Sequence, residues 1–169
     1  MQGFALFSHG AALALSLAAA SAFAVTITPP GPGGAPMPFS AVGPAKVGKF
    51  GIDLDCKAVF SGTVDGYGNV AITSASFSGG ALCKVIKPSA SLASPWTGHV
   101  DTATQLTLDN VAVNVKSPIA GGLCGPTKIV GSVADNGSET VIGLDAAQLS
   151  GGCSISATLS TTPYMRVTP

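Results

Sequence analysis

The chain has 169 residues, a formal net charge of zero and only 9% charged side chains, against about 25% in an ordinary globular protein. Its eight cations and eight anions all fall between Lys46 and Arg166 without clustering, which speaks against a nucleic-acid backbone as partner. A surface rich in Ser, Thr and Gly with little self-repulsion tolerates close approach to other surfaces, or to copies of itself.

Residues 11–20, AALALSLAAA, form an apolar run too short to cross a bilayer. SAFA follows, with Ala22 and Ala24 at the small-residue positions of a signal-peptidase site. The expectation is a secretory signal peptide over 1–24, cleaved after Ala24, although the usual basic n-region is missing: no Lys or Arg precedes Lys46. Cleavage leaves about 145 residues, enough for one domain that buries roughly two-thirds of its unfolded surface. No second apolar stretch has the length of a membrane-spanning helix. The expected location is extracellular or at the cell surface.

Residues 25–45, VTITPPGPGGAPMPFSAVGPA, hold six prolines and four glycines and no charge. Proline removes hydrogen-bond donors and glycine raises the entropy lost on ordering, so the segment reads as a linker, or as a tethering or strand-donating arm. VTITP at its start has a strand's alternation. A β domain is expected over 46–169.

One phrase then recurs three times, near 58–83, 94–124 and 128–153. Each copy opens x-G-x-V, at Gly62, Gly98 and Gly131, and then turns through DGYGN, DTAT or DNG. Each returns on a strand patterned Φ-x-Φ-x-x-Φ-x-Φ, where Φ is apolar. The Φ positions are Val70, Ile72, Ala75 and Phe77; Leu106, Leu108, Val111 and Val113; and Ile142, Leu144, Ala147 and Leu149. A glycine pair and a cysteine close each copy: GGALC, GGLC and GGC. Strand side chains alternate with period two, so the extra residue would throw the later Φ residues onto the wrong face. Either a β-bulge absorbs it, or the strand bends across to a second sheet; both account for the small or polar pairs Thr73-Ser74, Asp109-Asn110 and Asp145-Ala146.

No window after residue 24 shows clean helical periodicity. A strand before Cys56, three hairpins and the closing CSISATLSTTPYMRV make about eight strands. The fold class is all-β, a single disulfide-bonded antiparallel sandwich or barrel, with a β-trefoil-like arrangement as the alternative.

Cys56, Cys83, Cys124 and Cys153 lack the short spacings of zinc sites, so in an exported chain they read as two disulfides. Three pairings exist. Cys56–Cys83 with Cys124–Cys153 is favoured, because each closes a loop of about thirty residues within one part of the repeat, worth about 3 kcal/mol.

Catalytic machinery is not evident. His99 and Asp101 share a strand face, but no G-x-S-x-G elbow presents a serine to them. Asp53 and Asp55 suit a solvated strand better than acid–base work, and no calcium loop follows them. Asn136-Gly137-Ser138 matches a glycosylation acceptor but is first a turn signal. No cofactor, metal or catalytic residue is expected. Trp96, Tyr67 and Tyr164 are the aromatic candidates for surface contact, with a core anchor the stronger reading for Trp96.

SPWTG (94–98), NVAVNV running to GGLCGPT (110–127), LSGGCSISATLSTTP (149–163) and SASFSGGALC carry a family likeness. On them the chain resembles the secreted bacterial activators of alkane oxidation, the PraB-type proteins, from about Phe50 to its C-terminus. The resemblance implies an exported, non-enzymatic protein that helps cells use hydrocarbon by emulsification or surface contact. Its partners would be hydrophobic surfaces or alkanes. The arm at 25–45 is longer than the family's usual form. A self-assembling matrix or adhesin subunit, a secreted hydrolase and a lipid carrier with an internal cavity are the other readings.

Overall fold

The computed structural model describes residues 25–28, 31–119 and 121–169; the expected signal peptide lies outside them. The strands are β1 (Thr26–Thr28), β2 (Met37–Lys49), β3 (Ile52–Val64), β4 (Asn69–Ser78), β5 (Ile86–Pro88) and β6 (Trp96–Thr102). They continue with β7 (Gln105–Val115), β8 (Gly122–Asp135), β9 (Thr140–Leu149), β10 (Cys153–Thr162) and β11 (Arg166–Thr168). Eight of them, in the order β7-β6-β4-β3-β2-β10-β9-β8, form an antiparallel sheet that β7 and β8 close into a barrel. β5 pairs with β7 beyond the point where β6 begins.

The three repeats are the hairpins β3–β4, β6–β7 and β8–β9, each supplying two neighbouring staves. The remaining two staves, β2 and β10, come from either end of the domain and pair with each other. That division rules against a trefoil, whose three repeats would each carry four strands.

Every phase shift in the Φ pattern is a bulge. Thr73 is skipped where Ser61 faces Ser74 and Gly62 faces Ile72. Asp109 and Asn110 fall between the pairs Leu108–Ile129 and Val111–Thr127. Asp145 and Ala146 fall between Leu144–Ala157 and Ala147–Ile155. Asn110 and Ala146 reach left-handed backbone, φ 60° and 44°, and the Ala146 N–H donates to Ser156 Oγ at 3.1 Å. The bulges keep the Φ residues on the inner face: all are buried except Ala75 and Ile142, which pack against the core.

The repeated glycines point into the same interior. Gly62 faces Ile72 and Gly98 faces Leu108, each the Φ residue just before the bulge. A Cβ at Gly62 would stand 2.0 Å from the Ala71 carbonyl oxygen, and one at Gly98 would stand 2.3 Å from that of Thr107. At Gly131 it would lie 2.8 Å from Leu144 Cδ2. A Cβ at Gly43 would likewise stand 2.0 Å from the Thr158 carbonyl oxygen, where β2 joins β10.

Side chains fill the barrel. Trp96 is 1% exposed, its ring edge-on to Phe60 at 5.7 Å, and Phe60 is edge-on to Phe77 at 6.1 Å. The remaining apolar cavity, bounded by Ile27, Phe60, Leu106 and Leu144 among others, measures about 40 Å³. Even benzene needs about 150 Å³, so the closed barrel does not meet the condition for an internal lipid carrier. Outward positions are mostly polar, as in Ser154, Ser156, Thr158 and Ser160 of β10, and do not form the apolar belt of a lipid-facing barrel.

The segment 25–45 departs from its reading as a linker. Residues 37–45 are the first part of β2, where Phe39, Ala41 and Ala45 alternate inward. β1 pairs with β11 across the two chain ends, so the arm's strand is used within its own chain.

Two substitutions separate the glycine and bulge requirements. Gly62→Ala should destabilise by more than about 3 kcal/mol, because the clash is with backbone. Ala146→Gly should stabilise by about 1 kcal/mol, by relieving a left-handed alanine. Chemical denaturation reads both.

Candidate functional site

The ends of the barrel differ in chemistry. At one end lie the turns 65–68, 103–104 and 136–139, and a polar network ties the C-terminal segment down over them. Asp135 accepts from the Gly137 N–H and the Tyr164 hydroxyl, each at 2.8 Å, and from the Val167 N–H at 3.2 Å. Thr140, buried, donates its hydroxyl to the Met165 carbonyl and accepts from the Met165 N–H. Ile27 and Val167 of the β1–β11 ribbon are buried against the core, so this end is sealed. The Gly137 N–H, and after it the Tyr164 hydroxyl, hold the Asp135 carboxyl below its ordinary value. The same bond pushes the Tyr164 hydroxyl up.

The opposite end gathers all three glycine-pair motifs and both disulfides. Antiparallel hairpins of one pattern must end their return strands on the same side, so Gly79-Gly80, Gly121-Gly122 and Gly151-Gly152 meet there. Cys56 is bonded to Cys83, and Cys124 to Cys153. The turns and strand ends around them carry apolar side chains into solvent: Phe50 is 72% exposed, Ile52 48%, Leu82 57%, Ile119 88% and Leu123 58%. These five form an apolar rim.

Behind the rim is a cavity of about 160 Å³, lined by Val47, Lys49, Leu54, Val85, Val115 and Ser117 with Ile52, Leu82 and Ile119 at its mouth. Lys49 is buried, 7% exposed. Its ammonium stands 3.7 Å from Cys124 Sγ and 5.3 Å from the Phe50 ring centroid. Two glycines border this arrangement. A Cβ at Gly122 would come within 3.4 Å of Lys49 Nζ, and one at Gly152 within 2.7 Å of the Phe50 ring.

The aromatic candidates fall in three different places. Trp96 is not at the surface: it fills the barrel between β4 and β7 where β6 begins, and its indole N–H donates to Ser89 Oγ at 2.9 Å. Tyr67 is 68% exposed in the turn at the sealed end, and Tyr164 is half-buried on Asp135. None of them reaches the rim. His99 Nδ1 lies 3.5 Å from Asp101 Oδ1 on the outer wall, where Thr107 also donates to Asp101. Asp53 and Asp55 are exposed, with Asp55 3.8 Å from Lys46 Nζ. Asn136 Oδ1 caps its own turn, accepting from the Ser138 and Glu139 N–H groups. Among the described residues no three metal-ligating side chains converge.

Sequence reasoning missed the rim. Its signal was apolar residues inside turn segments, in KFGI, GGALC and SPIAGGLC, where polar residues are the rule.

A family model described as alkane oxidation protein activator PraA/PraB-like matches residues 1–169. No curated protein matches the chain, and no solved structure does.

The Asp135 network makes the sealed end acid-sensitive. Its folded-state pKa is lowered, so the stabilisation is complete above the ordinary value of 3.8 and is lost as pH falls through the lowered one. Hydrogen exchange should show the Val167 amide losing protection over that range. Asp135→Asn should make its protection independent of pH.

Proposed function

The chain belongs to the PraA/PraB-like family of alkane oxidation protein activators, and on that premise we propose that it is an exported, non-enzymatic accessory protein acting at hydrocarbon–water boundaries. The apolar rim of Phe50, Ile52, Leu82, Ile119 and Leu123 carries the reading. Covering one such side chain with hydrocarbon gains about 1.5–3 kcal/mol, and five at one end of a polar-walled barrel orient the molecule at an oil surface. Two disulfides support an oxidising compartment, which export supplies. With the barrel wall closed, self-assembly into a matrix or adhesin would run through this same rim or through the short free edges of β5 and the β1–β11 ribbon.

The test is pendant-drop tensiometry against hexadecane with the native protein and the triple variant Phe50→Ser, Ile119→Ser, Leu123→Ser. The native protein should lower the interfacial tension, and the variant should lose most of that effect while keeping its thermal midpoint. Deletion of the gene should slow growth on long-chain alkane and leave growth on soluble carbon unchanged; normal growth on alkane would overturn the reading.

A further inference from the structure

Contact with bulk hydrocarbon needs only the rim, yet a buried cation stands behind it. The Lys49 ammonium lines a cavity whose other walls are apolar apart from Ser117, and among the described residues no carboxylate lies within ion-pairing distance of it. Its neighbours, a sulfur and an aromatic face, are weak substitutes for the water it has lost. Gly122 borders the ammonium, and a Cβ there would stand 3.4 Å from Nζ.

We propose that this cavity binds a free long-chain fatty acid, whose carboxylate meets Lys49 Nζ while its chain fills the cavity and continues along the rim. Volume, charge and polarity select this class. A cavity of about 160 Å³ takes roughly six carbons, as an apolar cavity near 150 Å³ takes benzene, and a longer chain must extend over the exposed side chains. A single ammonium suits a monoanion; the bidentate fork that grips phosphate or sulfate is absent, since the one arginine, Arg166, lies on β11 at the sealed end. A neutral alkane or alcohol would leave the ammonium uncompensated. Long-chain carboxylates are what terminal oxidation of an alkane yields, so the protein would meet both starting material and product. The inference rests on the rim being the hydrocarbon-contact surface.

The test is isothermal titration calorimetry of the disulfide-intact protein at pH 8 with decanoate and 1-decanol. Decanoate should bind at least tenfold more tightly than 1-decanol. Lys49→Met, which fills the same space without charge, should bring the ratio below twofold, and Lys49→Arg should keep most of it. Equal binding of the two ligands by the native protein, no binding of decanoate, or an unchanged preference in Lys49→Met would each overturn the proposal. So would displacement of decanoate by phosphatidylglycerol vesicles, which would make the site one for a membrane lipid. Tensiometry on Lys49→Met keeps the two readings apart. Unchanged interfacial activity with lost decanoate preference supports both, whereas a native protein that binds decanoate without lowering interfacial tension overturns the rim reading alone.

Discussion

A barrel of eight staves has room inside for its own side chains and little else, and every inward position must be filled without collision. Here that constraint is met by pairing absence with bulk. Gly62, Gly98 and Gly131 each yield their interior volume to Ile72, Leu108 or Leu144 on the neighbouring strand. Immediately beyond, each return strand carries a bulge, which raises the local twist and bends the sheet toward closure. Glycine and bulge are therefore one device used three times. Without the glycine the strands could not approach, and without the bulge the second half of each strand would turn its apolar side chains to water.

A barrel closed in this way has no interior to offer a ligand; its residual cavity is about 40 Å³. The two ends of the barrel have opposite chemistry. At one, Asp135 and Thr140 satisfy the backbone of the C-terminal segment and draw it over the opening. At the other, hydrogen bonding gives way to exposed Phe, Ile and Leu around a single buried ammonium. The wall between them is rich in Ser and Thr, with Val130 an exposed apolar exception.

Local pattern carried far in the reading of this fold. The bulge positions followed from the mismatch between a period of two and Φ-x-Φ-x-x-Φ, a contradiction with few physical remedies. The family was legible in motifs that surround glycines and cysteines. Long-range pairing was less so: nothing in either segment alone announces that β7 meets β8, and the choice between sandwich and barrel turns on that contact. Residues 37–45 were obscured because Pro38, Pro44 and Gly43 outweighed the alternation of Phe39, Ala41 and Ala45. Gly43 itself is an inward position where a Cβ would collide with the Thr158 carbonyl. Trp96 could not be placed from SPWTG, since its burial depends on Phe60 and Ser89 arriving from elsewhere.

The position of the disulfides follows from the same division of labour. Loops ordinarily gain order by burying the apolar residues they carry, and those at the open end forgo this: each exposed Phe, Ile or Leu leaves about 1.5–3 kcal/mol of burial unclaimed. Cys83 follows Leu82, Cys124 follows Leu123, and Cys153 follows the glycine beneath Phe50. Each covalent loop, with separations of 27 and 29 residues, contributes about 3–4 kcal/mol by restricting the unfolded chain. Cross-links and glycine corners thus supply the order that burial would otherwise give. The sealed end, which buries Ile27, Met165 and Val167, has no cysteine among its described residues.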